Sequence, residues 1–445
     1  MWHGGDEEAL AGEVVDRITA RVLAREAPDE AARGDRAQRI HEIVGEALFH
    51  ERNRLEDASD PRSDADRVFF KEVGQRLDGR PGAPDALLVR DVVRHYTDEI
   101  RGHFDRRVYA VATRVLPVGL SALLNGLSPL HLIAHAREVP SLAENLTIEG
   151  EVEALQSLVQ RGTVILAPTH SSNLDSLLFG FAIFRMGLPP FSYGAGLNLF
   201  TNPLTSFFMT HLGAYTVDRS KTDPLYRATL KEFATVLLER GHSSLFFPGG
   251  TRSHSGAVET HLKKGLLGTG LAAFKNNLRA QKTRPRVFVV PATATYPLVL
   301  EAKSLVLDFL ERSGKGRYVR TVDEFNVVRR WVDFLASLLR LKLRIRLVIG
   351  KAFDPFGNDV DASGASYDRR GRPIDPSRYL LADGAIADDS ERDAEYTSGL
   401  ASRLLEVYRA DTVALPAAIV AFAVFELLRR RSPRLDVYRL LRSAG

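Results

Sequence analysis

The chain contains no cysteine. That absence removes disulfides, thiolate-bound zinc, iron–sulfur clusters and thiol nucleophiles from the functions open to it. A dominant charge is lacking too: 60 basic residues face 56 acidic ones for a formal net charge of +4, so the totals give no footprint for nucleic acid. Nor is there a good membrane span. Residues 115–134 are about long enough, but they hold two prolines, two glycines, an asparagine and a histidine, and the apolar run 412–425 has only 14 residues, where a spanning helix needs about 20. Buried helices are one reading of these runs, and an interfacial segment followed by arginines is the other. The start, "MWHGGDEEALAGEVV", is acidic and lacks the charged, apolar, small-residue order of a signal peptide, so the protein is expected to stay inside the cell.

What the chain does have is length and apolar content. Its 445 residues, 44% of them hydrophobic, suffice for a large core and more than one domain. Residues 1–135 show helical periodicity and predict a helical N-terminal domain, broken by "DASDPRSDAD" and "DGRPGAP". Across 136–355, β-rich runs such as "GTVILAP", "SSLFFPG", "RVFVVPATATY" and "LRIRLVIG" alternate with helical stretches, which predicts an α/β domain. Residues 356–445 predict an extended polar loop or hairpin and then helices packing on that domain, and no internal repeat is evident. In the tail, Arg429, Arg430, Arg431, Arg434, Arg439 and Arg442 outnumber Glu426 and Asp436. They suit either anionic lipid or a solvated helix end.

Chemistry concentrates at "APTHSSNLDSLL", residues 167–178. Thr163 to Ala167 read as a short buried strand, and Leu174, Leu177, Leu178, Ala182 and Ile183 recur at helical spacing, so His170 falls in a strand-to-helix turn. With Ser172 or Asn173 as the helix cap, Asp175 lies in the first turn, where it can accept from Nδ1–H of His170 and leave Nε2 free to take a proton. An aspartate in a first turn is also what the helix dipole favours, so His-x4-Asp alone is a weak signal.

Three further stretches follow in order. "GAYTVDRS" ends a β-like run at Arg219; "LFFPGGTRSHSG" carries a strand into a glycine turn with Arg252, suited to a phosphate; "VFVVPATATYPL" is a buried strand with Pro291, which predicts an edge or a wall beside a ligand. Ser171 or Ser172 beside the histidine suggests a hydrolase, but no Gly-x-Ser-x-Gly elbow is present. His131 and His135 have helical metal spacing without an intervening glutamate and read as structural. Lys263 and Lys264 suit coenzyme A phosphates or a solvated helix start.

Together these four stretches resemble the sequence blocks of the glycerolipid acyltransferase superfamily, over roughly residues 140 to 355. The resemblance implies an α/β acyltransferase domain with a mixed sheet flanked by helices. It implies His170 as general base and Asp175 as its orienting partner. Arg219, Gly250, Thr251, Arg252 and Ser253 would bind the acceptor phosphate, and Pro291 belongs to the block associated with the acyl donor. One position departs: where the family reads Phe-Pro-Glu-Gly-Thr-Arg, this chain has Gly249 in place of the glutamate. The implied reaction carries a fatty acyl group from acyl-CoA or acyl-ACP to a phosphorylated glycerol, glycerol 3-phosphate first. No metal, no other cofactor and no nucleic acid are implied, and the expected place is the cytoplasmic side of a membrane. The alternatives are a lysophosphatidate-type acceptor, or a lipid-binding or scaffold homologue with weak catalysis.

Overall fold

A computed structural model describes residues 6–23, 32–56, 61–77, 85–113, 146–172, 174–197, 209–253, 256–297 and 345–431. The apolar run 115–134, His131, His135, Arg434, Arg439 and Arg442 lie outside them.

The N-terminal region is helical, with α1 (Asp6–Leu23), α2 (Ala32–Glu56), α3 (Pro61–Leu77) and α4 (Asp85–Ile100). The break expected at 57–66 is shorter than its composition suggested. Pro61 opens α3, because a proline in the first turn gives up an N–H that has no helical partner anyway. Leu10, Val14, Val15 and Ile18 form the buried stripe of α1, and Leu88, Val92, Tyr96 and Ile100 that of α4. Both stripes share one core with Leu225, Phe233 and Leu237.

Next come β1 (Leu146–Gly150), α5 (Val152–Arg161), β2 (Thr163–Pro168), α6 (Asp175–Arg185), β3 (Ser192–Gly196) and β4 (Ala214–Val217). They are followed by α7 (Pro224–Glu239), β5 (Ser244–Leu245), α8 (Thr269–Arg279), β6 (Val287–Thr295), β7 (Ile345–Ile349) and β8 (Ala352–Phe353). β2 lies between β5 and β6 and is parallel to both, while β3 joins β5 to β4, again in parallel. β7 and β8 run antiparallel to β6, so the sheet is mixed, as expected. All six residues of β2 are buried, which is why "TVILAP" is a continuous apolar run rather than an alternating one. α7 starts sharply because Pro224 follows Asp223, whose carboxylate accepts from the N–H groups of Leu225 at 3.1 Å and Tyr226 at 3.2 Å.

β6 is not an edge, contrary to what Pro291 suggested. On one side it pairs with β2 along six residues. On the other, Val289 faces Phe353 of β8 and Ala292 faces Ile349 of β7, so Pro291 falls where the neighbouring strand breaks. A missing N–H costs little at such a gap, and the Pro291 carbonyl still accepts from Gly350 at 2.9 Å.

The polar stretch after β8 folds into the short strands β9 (Asp359–Val360), β10 (Ser366–Tyr367) and β11 (Pro373–Ile374). A repeat missed in the sequence builds them: Asp-x-x-Gly recurs at Asp354, Asp361 and Asp368 with Gly357, Gly364 and Gly371. Each glycine has positive φ and donates to the carbonyl of its aspartate, and each carboxylate accepts N–H groups two and four residues on. Two helices follow, numbered here α9 (Ser390–Asp411) and α10 (Pro416–Arg431). α9 packs with α8 against the sheet, and its buried Tyr408 donates to the carbonyl of Ala167 at 2.7 Å.

Candidate active site

Because β2, β3, β4, β5 and β6 run parallel, the segments leaving them open on one edge of the sheet, where ligands of such sheets bind. The loop after β2 is tied down first. Thr169 donates its N–H to Ala292 at 3.0 Å, and its hydroxyl accepts from Ala294 at 3.3 Å. His170 follows. α6 opens at Asp175 itself, with Leu174 as a cap that makes no side-chain bond, so Ser172 does not take the expected capping role, and Asn173 lies outside the described residues. Ser172 is buried and its hydroxyl accepts from the N–H of Leu174 at 3.1 Å. Ser171 is half-buried, and its main-chain N–H donates to Asp175 at 2.7 Å.

Asp175 is 0% exposed, and a carboxylate that dry must be bonded on every side. Its Oδ2 accepts from Nδ1 of His170 at 2.8 Å and from the N–H groups of Ser171 at 2.7 Å and Ser172 at 2.9 Å. Its Oδ1 takes the hydroxyl of Tyr296, just beyond β6. The acceptor demand of the carboxylate puts the proton of the imidazole on Nδ1 and leaves Nε2 with a lone pair. The ring is stacked on Phe247 at 4.1 Å between centroids, tilted by 18°. It is therefore held by an acid along one edge and a phenyl face beneath.

His170 lines a cavity of about 590 Å³. Around it stand Arg219 from the loop after β4, Arg227 and Lys231 from α7, and Arg252 and Lys263 from the turn after β5 and its continuation. None of these five side chains has a hydrogen bond or ion pair among the described residues. Among the described residues Asp218 is the single carboxylate of the lining, so the cavity suits an anion.

Gly250 lines it in a left-handed turn with φ of +79°, and a Cβ there would lie 2.7 Å from Cδ and Cε of Lys263. Glycine lets the lysine cross the turn. Thr251 and Arg252 also line the cavity, and their N–H groups have no partner among the described residues. Ser253 does not: its hydroxyl donates to Ala257 at 2.8 Å and its N–H to the carbonyl of His170 at 2.8 Å. Pro291 lies buried against Gly350, away from the lining.

Sequence reasoning missed Tyr296, Arg227 and Lys231. The last two had a signal, since basic residues four apart share a helix face, and their helix starts just after the Arg219 loop. Tyr296 had only its place at the end of a buried strand.

Residues 149–294, from β1 into β6, match the acyltransferase family model and hold all four blocks, which supports the resemblance to the glycerolipid acyltransferase superfamily over this stretch. Among curated proteins it is similar to the glycerol-3-phosphate acyltransferase of Pseudomonas paraeruginosa, 34% identical over 192 residues, which is 41% of this chain and 22% of the relative. The enzymes of the same name from Pseudomonas fluorescens, 32% over 178 residues, and Aeromonas hydrophila, 33% over 165 residues, are matched over 40% and 37% of this chain and 20% of their own length. The chain thus spans about a fifth of the length of the curated relatives it matches.

Proposed function

We propose that this chain is an O-acyltransferase that moves a fatty acyl group from acyl-CoA or acyl-ACP to a hydroxyl of glycerol 3-phosphate. The observation that carries the reading is a histidine held by a buried aspartate and lining a cavity with five cationic side chains that have no ion pair among the described residues. An alcohol is a poor nucleophile at neutral pH, whereas a thioester is already activated, so the missing help is a base. Nε2 of His170 takes the hydroxyl proton as the oxygen attacks the thioester carbon. The tetrahedral oxyanion then collapses, the C–S bond breaks, and the leaving thiolate receives the proton from the imidazolium. Asp175 stabilises that transient charge. The N–H groups of Thr251 and Arg252 suit the oxyanion or the phosphate.

The names of the relatives support this acceptor, and Gly249 makes it the point to test. Purified protein is assayed with long-chain acyl-CoA and, separately, glycerol 3-phosphate, dihydroxyacetone phosphate and lysophosphatidate. Turnover is expected with the first. Arg219→Ala and Arg252→Ala are expected to raise the acceptor KM by about tenfold or more, since a bond between charged groups contributes about 1.5–3 kcal/mol, with kcat little changed. Unchanged KM in both variants sinks the phosphate clamp. No turnover on any acceptor sinks the enzyme and favours a lipid-binding homologue.

Attachment to a lipid surface belongs to the same reading. No described helix is long and apolar enough to cross a membrane. α10, however, exposes Ile419, Val420, Phe422, Val424 and Phe425, and its sequence ends in Arg429, Arg430 and Arg431. Apolar side chains followed by arginines suit an anionic membrane face. Phe422→Glu is expected to release the protein from phosphatidylglycerol-containing vesicles in a sedimentation assay; equal sedimentation of the wild type and the variant removes α10 as the anchor.

A further inference from the structure

Gly249 has no backbone reason to be glycine, because its φ lies outside the left-handed region. The reason is space. A Cβ at 249 would sit 3.0 Å from Cγ of Glu259, 3.4 Å from its Oε1 and 3.7 Å from its Cδ. The Glu259 side chain thus runs directly over residue 249, and it is not free to swing aside: its Oε1 accepts the main-chain N–H of His170 at 2.8 Å. The group is half-buried, and burial pushes its carboxyl up against the pull of that N–H and of the imidazole. It does not line the cavity. It stands behind the histidine.

We propose that Glu259 is a positioning residue for His170, and that Gly249 is glycine because the Glu259 side chain occupies the space of any side chain there. A carboxylate reaches this corner from residue 259 in this chain, and one cannot come from residue 249 at the same time. Three bonds then set the histidine: Asp175 at its ring, Glu259 at its main-chain N–H and Ser253 at its carbonyl. Releasing the second lets the loop after β2 drift relative to the cavity while the His170–Asp175 pair stays intact.

The inference rests on the enzymatic reading, so its test has an arm that needs no activity. Gly249→Ala, Glu259→Ala, Glu259→Gln and the Gly249→Ala/Glu259→Ala double variant are compared by thermal unfolding and by kcat and KM with glycerol 3-phosphate. Gly249→Ala is expected to lower Tm in the wild-type background and to leave it unchanged in the Glu259→Ala background, a non-additive cycle. Glu259→Ala is expected to lower kcat by about 10- to 100-fold with KM little changed, as small misplacements of a reacting group do. Glu259→Gln, whose amide oxygen can still accept the His170 N–H, is expected to restore kcat to within about threefold. Additive Tm changes, or wild-type kcat in Glu259→Ala, overturn the proposal. Absence of turnover from the wild type overturns the enzymatic reading and with it the catalytic half, while the Tm cycle still decides whether the two residues share one space.

Discussion

Two histidine–aspartate pairs in this molecule look alike and do different things. In the N-terminal helices, Nε2 of His95 meets Oδ1 of Asp66 at 3.0 Å, and its ring stacks on Phe69 at 4.0 Å with an interplanar angle of 6°. At the sheet edge, His170 meets Asp175 and stacks on Phe247 in much the same way. Exposure does not separate them, at 19% for the His95 side chain and 15% for that of His170. The company of the acid does. Asp66 is held by Arg54 and, at 3.5 Å, by Lys221, which also reaches Glu99 at 2.6 Å and Glu51 at 3.6 Å. Among the described residues, Asp175 is held by neutral donors only, apart from the histidine. Its charge remains available to an imidazolium, whereas that of Asp66 is spent on fixed cations.

The difference also explains what the first cluster is for. Asp66, His95 and Glu99 bring ligand atoms within 4.8 Å of one another, a spacing that suits a metal ion. The Lys221 ammonium already stands among these acids, so the positive charge the cluster needs is supplied by the chain. Lys221 lies two residues beyond Arg219. By anchoring Lys221, the N-terminal helices fix the loop that carries Arg219 into the cavity.

The largest effect expected from this contrast is kinetic. His170→Ala is expected to lower kcat by about 10²- to 10⁴-fold with the fold intact, the usual contribution of a positioned base. His95→Ala is expected to leave kcat within about threefold and to cost about 1–3 kcal/mol of stability through the bond lost from buried Asp66. Urea unfolding alongside steady-state kinetics measures both. A kinetic collapse in His95→Ala with normal stability would erase the distinction.

Much of the site was legible because it is local. His170 and Asp175, Arg219, and the turn at Gly250 to Arg252 each follow a strand directly, and parallel strands deliver their ends to one edge. What was not legible depends on partners far along the chain. Tyr296 reaches Asp175 only through the register of β6 on β2, and Glu259 reaches the His170 backbone only because a loop folds over residue 249. Pro291 misled for the same reason: proline argues for an edge, and the break between β7 and β8 that tolerates it in mid-sheet is a fact of pairing. The Asp-x-x-Gly repeat was in plain view but hidden by composition, since glycine, proline and aspartate read as loop until their seven-residue spacing is noticed.

A third histidine sharpens the comparison at the smallest scale. His242 leads into β5, and burial, not an acid partner, dominates its charge: it pushes the imidazole from its ordinary 6.5 down to about 4. A folded-state value below the unfolded one means the unfolded chain binds the extra proton, so the stabilisation is complete above pH 6.5 and is lost as pH falls toward about 4. Discounted for partial exposure, the loss expected over that window is about 1–2 kcal/mol. Urea unfolding at pH 7, 5.5 and 4 should show this loss in the wild type and a shallower one in His242→Gln. Parallel slopes in the two proteins would mean that burial alone does not set the charge of a histidine in this fold, and the contrast between His95 and His170 would then need a cause beyond the partners of their acids.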